Sequence, residues 1–293
     1  MRNFEFLEPR TVLEASRMLA DHGETARVLA GGTALLLLMR QRIVSPSHLV
    51  SLDGVPRLSY IEVDDRNGVR IGALTRHSDI EAHPSLRAKY PVIAEMARLV
   101  ANPQIRNMGT IGGNLCYGDP ASDPPACFLA LNGEVKAVRG SQERVIRLEE
   151  FFTDYYETAL APDEILTEVR IPPLPKGSVG VYMRFTTTQA EHRPLVGVGV
   201  LLTLEGRDSC REIRVALGAT TPTPARLAKV EEFLRGKRLG AEVLAQAGEI
   251  AATEIRPPSD FRGSAEYRKD VVKVLVRRSI ERALAQAARE GRQ

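Results

Sequence analysis

Cysteine is scarce in this sequence of 293 residues: Cys116, Cys127 and Cys210 are the only three, and no C-x-x-C spacing occurs. An odd, scattered count argues against a disulfide framework and against an iron–sulfur cluster held by this chain. Three reduced thiols, as in a cytoplasmic protein, are expected instead. An excess of one charge sign is lacking as well. The 40 basic and 37 acidic residues leave a net charge of +3 and are interspersed. A nucleic-acid partner would require a basic patch on a strongly basic domain, so none is expected. Long hydrophobic runs are also missing. The most apolar stretch, Leu29 to Met39, is about half of a bilayer crossing, and Gly31-Gly32 interrupts it. The start, Met1 to Pro9, carries no apolar core of a secretory signal. His22, His48, His83 and His192 have no metal-ligand spacing. The chain is therefore expected to be neither membrane-spanning nor a metal site.

What is present is ordinary globular composition, with 43% hydrophobic and 26% charged residues. Two domains are expected at this length, given roughly 100–200 residues per domain. The best linker is Pro172-Pro173-Leu174-Pro175-Lys176-Gly177.

Before it, patterning predicts a helix over Glu14 to Asp21 and a short strand Arg27 to Ala30 ended by Gly31-Gly32. A helix over Ala34 to Arg42, with Thr33 at its N-cap, follows. Then come a strand at His48 to Leu52 and a hairpin around Asp65 to Gly68. A helix over Pro91 to Ala101, stopped by Asn102-Pro103, precedes a glycine-bearing stretch Asn107 to Asn114. A helix over Ala126 to Leu131, a hairpin around Gly140-Ser141 and a strand Ile165 to Ile171 complete this half. After the linker, strands at Val179 to Thr187, Gly197 to Leu204 and Glu212 to Leu217 precede helices at Thr223 to Gly236, Ala241 to Ile255 and Ala265 to Glu290. Strands followed by helices indicate an α+β arrangement.

Two glycine pairs carry the chemistry, Gly31-Gly32 and Gly112-Gly113, each beside a small hydroxyl or amide residue: Thr33 for the first, Thr110 and Asn114 for the second. Without a Cβ, backbone N–H groups can approach an anion closely, and successive N–H groups form a nest for phosphate oxygens. Two facing loops could hold a diphosphate from both sides. Gly-Gly is common at ordinary turns, so either pair alone is a weak signal. Neither fits G-x-G-x-x-G, and no G-x-x-x-x-G-K-[ST] loop exists. The residues by themselves indicate a dinucleotide site at most. His77 is expected to serve local capping and Asp119 a turn. Tyr155 and Tyr156 are expected to pack on the core.

Ala30-Gly31-Gly32-Thr33-Ala34-Leu35 and Thr110-Ile111-Gly112-Gly113-Asn114 resemble the paired FAD loops of the molybdenum hydroxylase flavoprotein subunits. This group includes the medium subunit of carbon monoxide dehydrogenase and the FAD domain of xanthine dehydrogenase. Ile71 to His77, Gly118 to Ala126, Phe151 to Leu166, Leu217-Gly218-Ala219 with Thr223-Pro224, and Tyr267-Arg268 extend the resemblance in order over nearly the whole chain.

The resemblance implies an α+β fold: an FAD-binding domain of the PCMH type, like that of vanillyl-alcohol-oxidase-like flavoproteins, over 1–175, in two subdomains. A smaller domain over 178–288 follows, with a three-stranded antiparallel sheet and helices. It implies that Leu29, Ala30, Gly31, Gly32, Thr33, Ala34 and Leu35, with Thr110, Ile111, Gly112, Gly113 and Asn114, hold non-covalent FAD. Ile111 would lie near the flavin ring, Asp123 would accept from a sugar hydroxyl, and Leu166 would meet the adenine end through its backbone. No catalytic side chain and no metal ligand are implied here. Molybdopterin and [2Fe-2S] clusters would reside on large and small partner subunits, in a dimer of heterotrimers. His192-Arg193-Pro194-Leu195 departs from the Asp–aromatic–Ala type segment of many relatives. A self-contained FAD oxidase or reductase, and a flavin-free assembly scaffold, are the alternative functions.

Overall fold

A computed structural model describes residues 2–188 and 191–290; Met1, where the N-terminal reading begins, lies outside them. The chain opens with Glu5–Leu7 and the helix Val12–His22. Thr11 caps this helix by accepting from the Glu14 N–H, a donor that the helix start leaves orphaned, and the Glu14 carboxylate reaches back to accept from the Arg10 N–H at 2.7 Å. Strand Ala26–Leu29, helix Leu35–Arg40 and strand His48–Ser51 form a right-sized crossover unit. Its strands join Glu5–Leu7 in a parallel sheet with His48–Ser51 in the centre.

A five-stranded antiparallel sheet follows, ordered Ile61–Asp64, Gly68–Gly72, Ile165–Ile171, Glu134–Arg139 and Gln142–Arg147. Ile165–Ile171 sits in its middle and buries nearly every residue. Its Glu168 is tolerated there because Arg70, Arg170 and Tyr60 surround the carboxylate. Short helices packed against this sheet build the largest core, centred on Ile71, Ile93, Met96, Phe128 and Val169.

Beyond 172–177, strands Ser178–Phe185, Val196–Glu205 and Ser209–Gly218 form an antiparallel sheet covered by helices Ala265–Glu290 and Ala228–Leu234, with Ala241–Thr253 packed against those two helices. Three strands were expected. The structure adds a fourth, the two-residue Ala225–Arg226, so the helix expected from Thr223 begins only at Ala228. The two halves share a core: Tyr182, Leu201 and Ala216 from the second sheet pack within the larger cluster of the first half.

Among the helices that escaped the sequence pattern, two border the glycine-bearing stretch. Asn102-Pro103 stops one helix but also starts Pro103–Met108, with Asn102 Oδ1 accepting from the Ile105 N–H at 2.9 Å. Thr110 to Asn114 is a helix start rather than a loop: Thr110 caps Ile111–Tyr117, and Gly118 ends it in the left-handed region.

Candidate cofactor site

Between the parallel sheet and the five-stranded sheet lies a cavity of about 780 Å³, within the range of about 300–1,000 Å³ usual for small-molecule and cofactor sites. Two segments form its most closely apposed walls. The first is the turn leaving strand Ala26–Leu29, where Gly32 has φ 70°. The second runs from the end of helix Pro103–Met108 through Gly109 to the start of helix Ile111–Tyr117. They touch without room for a side chain: a Cβ on Gly31 would stand 2.0 Å from the Met108 carbonyl oxygen and 2.9 Å from Gly109 Cα.

The two glycine pairs do different work. Among the described residues, the backbone N–H groups of Gly31, Gly32, Thr33, Ala34 and Leu35 have no protein acceptor. Five successive free donors in a turn form a nest suited to anionic oxygens. The second segment has spent most of its donors, Thr110 N–H excepted. Ile111 N–H donates to Thr75 O at 2.9 Å, Gly112 to Ala73 O at 2.9 Å, Gly113 to Thr110 Oγ1 at 3.2 Å and Asn114 to Thr110 O at 2.9 Å. Its glycines serve proximity instead. A Cβ on Gly112 would meet Ala73 Cβ at 2.6 Å, and one on Gly113 would meet Thr110 Oγ1 at 2.8 Å. The expected symmetric pair of nests is therefore one nest facing one tightly packed helix start.

Of the residues singled out from the sequence, Ala30, Gly31, Gly32, Thr33, Ala34, Leu35, Thr110, Gly112, Gly113, Asn114 and Leu166 line the cavity. Leu29, Ile111 and Asp123 do not. Leu29 ends its strand, and its carbonyl accepts from Leu52 N–H at 2.9 Å. The Ile111 side chain is wholly buried in the main core, away from the cavity. Asp123 opens helix Asp123–Ala130 and is buried. Its Oδ1 accepts from Tyr182 Oη at 2.9 Å and its Oδ2 from Arg184 at 3.0 Å, so it clasps the first half of the chain to strand Ser178–Phe185. Burial pushes its pKa up to about 6, against the pull of Arg184 and Tyr182. Leu166 pairs with Ala137 just before a register shift, where the ladder is irregular and backbone groups turn aside.

Sequence reasoning missed other cavity residues. His77 caps nothing: the helix His77–Ala82 has no side-chain cap, and the imidazole is buried against the cavity. Its backbone N–H donates to Gly109 O at 3.1 Å, which lays 75–77 alongside 109–111. Burial first, and the Arg106 charge second, lower its pKa to about 4, so the ring is neutral at pH 7. Tyr155 and Tyr156 are half-exposed rather than core, and Tyr156 lines the cavity beside Tyr117, 5.2 Å between ring centroids. In the departing segment, Arg193 donates to Tyr156 Oη at 3.0 Å and to Asp119 Oδ1 at 2.6 Å. Asp119 Oδ1 also accepts from the Ala121 N–H at 2.9 Å, the turn role expected of it. That His77 closes the resembling stretch Ile71 to His77 was the available signal; side-chain burial was not legible.

A donor nest, a groove that any Cβ on Gly31 would close and a cavity of this size fit an anionic dinucleotide. All three cysteines are free, no cluster of His, Cys, Asp or Glu suited to a metal occurs among the described residues, and no described helix is long and apolar enough to cross a membrane.

Residues 2–174 match the family model of the FAD binding domain in molybdopterin dehydrogenase, and residues 183–283 match that of the CO dehydrogenase flavoprotein C-terminal domain. The nicotine 6-hydroxylase medium subunit of Paenarthrobacter nicotinovorans is 37% identical over 281 residues, which cover 95% of this chain and 96% of the relative. The carbon monoxide dehydrogenase medium chain of Hydrogenophaga pseudoflava is 32% identical over 97% of this chain and 98% of its own. A solved carbon monoxide dehydrogenase from the same organism superposes with a TM-score of 0.93 over 97% of this chain and 98% of that one. Quinoline 2-oxidoreductase from Pseudomonas putida 86 gives 0.92 at 28% identity, over 98% of this chain and 99% of that one. The chain belongs to the FAD-binding medium subunits of the molybdenum hydroxylases, oxidoreductases of the carbon monoxide and xanthine dehydrogenase type.

Proposed function

We propose that this chain is the electron-transfer subunit of a cytoplasmic molybdopterin hydroxylase, working beside a large molybdopterin-binding subunit and a small [2Fe-2S] subunit, in a dimer of heterotrimers. Its 1–175 portion, of vanillyl-alcohol-oxidase-like layout, would hold FAD non-covalently, and its 178–288 portion would close one side. When bound, FAD supplies a centre that accepts electrons singly from a cluster and releases them in pairs to an external acceptor. The chain's own residues bind and orient. The Gly31 to Leu35 nest takes the diphosphate, Asn114 and Thr110 lie beside it, and the Leu166 backbone marks the adenine end. Asp123 would reach a sugar hydroxyl only by sharing its carboxylate with Tyr182 and Arg184.

The observation that carries this function is the run of five unpaired N–H donors set against the Met108–Gly109 backbone. The purified chain should be yellow, with one FAD per chain released to the supernatant on acid precipitation. Flavin left in the pellet, or a colourless chain that FAD cannot reconstitute, would refute it.

A further inference from the structure

Tyr156 is held in a backbone conformation that its side chain resists. Its φ is 59°, in the left-handed region, which a residue with a Cβ adopts only at a cost. Such strain persists where the surroundings over-determine it, and it gathers at ligand clamps. Three contacts fix Tyr156. Its N–H donates to Gly118 O at 3.1 Å. Its ring tilts against Tyr117, 5.2 Å between centroids. Its hydroxyl accepts from Arg193 at 3.0 Å, and the same Arg193 nitrogen is anchored on Asp119 Oδ1 at 2.6 Å. None of these contacts buries the residue, which is 46% exposed and borders the cavity. A strained, clamped and open aromatic ring at a cofactor cavity suits a planar ring of the ligand.

The helix Ile111–Tyr117 decides which ring of the dinucleotide that is. The nest faces the start of this helix, where Gly31 meets Met108 and Gly109. Gly112 N–H donates to Ala73 O and Ala73 N–H to Thr167 O, both at 2.9 Å, so the strand bearing Leu166 also lies at that start. Tyr117, against which Tyr156 rests, ends the helix about 8 Å further along, at about 1.5 Å per residue. With the diphosphate on the nest and the adenine at Leu166, the ring left for the tyrosine end is the isoalloxazine.

We propose that Tyr156 is a cofactor-contacting residue whose ring walls the isoalloxazine, and that Arg193 is the positioning residue that holds it there, a role that rests on the FAD-binding function proposed above. Arg193 reaches Tyr156 from the second half of the chain, so one half supplies the ring and the other its clamp. A guanidinium suits the task, because it stays charged and its rigid fork donates to carboxylate and phenol oxygen alike.

The test uses the full chain stripped of flavin. Equilibrium dialysis measures FAD and ADP affinity, bound-flavin fluorescence reports ring contact, and melting reports the stability of the flavin-free chain. Tyr156→Gly removes the ring and suits the left-handed backbone. It should weaken FAD binding about twofold to tenfold, the effect of one aromatic pair. It should also brighten the bound flavin, which a phenol in contact quenches. ADP affinity and the melting temperature should stay at wild type or above. Arg193→Ala should reproduce part of the FAD loss, and Arg193→Lys should restore it. On the Tyr156→Gly background, Arg193→Ala should cost nothing more, since it acts through the tyrosine.

Wild-type FAD affinity or wild-type fluorescence in Tyr156→Gly overturns the contact, and a loss that ADP shares equally overturns its assignment to the isoalloxazine. Losses that add in the double variant overturn the positioning role of Arg193. Should Tyr156→Gly fail to fold, Tyr156→Leu decides by the same readouts; a chain that neither variant lets fold makes Tyr156 structural and overturns the role. A wild-type chain that binds no FAD would overturn the function itself, a result distinct from any of these.

Discussion

Gly31→Ala tests the geometry most directly. The added Cβ would stand 2.0 Å from the Met108 carbonyl oxygen, 2.8 Å from its carbon and 2.9 Å from Gly109 Cα. All three atoms are backbone, so no rotamer change relieves the overlap, and the walls must part by about 1.4 Å. Overpacking of this kind costs about 1–3 kcal/mol. The Gly31 turn makes few hydrogen bonds of its own, so the free chain can open at small cost. The penalty therefore falls on the bound form, which needs both walls in place. At about 1.4 kcal/mol per tenfold, FAD affinity should drop about five- to 150-fold. Equilibrium dialysis measures that loss, and melting of the flavin-free chain measures the remainder. Wild-type affinity in Gly31→Ala would refute the claim that the close approach of these walls makes the site, whatever the melting temperature did.

Gly112→Ala should act on the opposite ledger: its Cβ would meet Ala73 Cβ at 2.6 Å, so calorimetry of the flavin-free chain should show a loss of about 1–3 kcal/mol. Asp123→Ala strands Tyr182 and Arg184 and should destabilise the chain by about 3 kcal/mol in urea titrations; unchanged stability would remove the clasp. The lowered pKa of His77 makes the unfolded chain take up its proton first, so its contribution is complete above pH 6.5 and falls as the pH drops toward 4. The loss reaches about 3 kcal/mol at pH 4. Asp123, raised to about 6, works the other way below that pH, so the measurement is the difference between wild type and His77→Asn; a flat difference from pH 7 to 4 would refute burial as the cause. Finally, the flavin of the assembled complex should bleach with the cognate substrate while that of the isolated chain should not; rapid bleaching of the isolated chain would favour a self-contained enzyme.

Local chemistry was legible in the sequence where one residue type decides it. Gly-Gly after an apolar run marked the turn, Asp65 to Gly68 marked a hairpin, and the long C-terminal helix spans Ala265–Glu290 as patterned. Signals with two meanings misled. Asn102-Pro103 terminates one helix and begins another, because proline is as acceptable at a helix's first turn as it is forbidden in its interior. Gly112-Gly113 read as a loop because glycine disfavours helices, yet Ala73 leaves room for nothing larger in that helix turn. Helix Leu35–Arg40 starts from Ala34 without a side-chain cap, so Thr33, though of the right type, does not cap it. Partnership across long sequence distance was invisible. Nothing near Asp123 announces Tyr182 and Arg184, and nothing near His77 announces that Gly109 will seal it.

The unequal walls of the cavity set an order of events for the making of a working subunit. Amides 111–114 are closed by the fold itself and should exchange with deuterium slowly in the flavin-free chain, whereas amides 31–35 should exchange at nearly the rate of an unstructured peptide. The helix-start wall is then finished by translation and folding alone. The turn wall becomes protected only after the cofactor arrives, which makes flavin insertion a late maturation step that a quality-control protease could sense at one five-residue stretch.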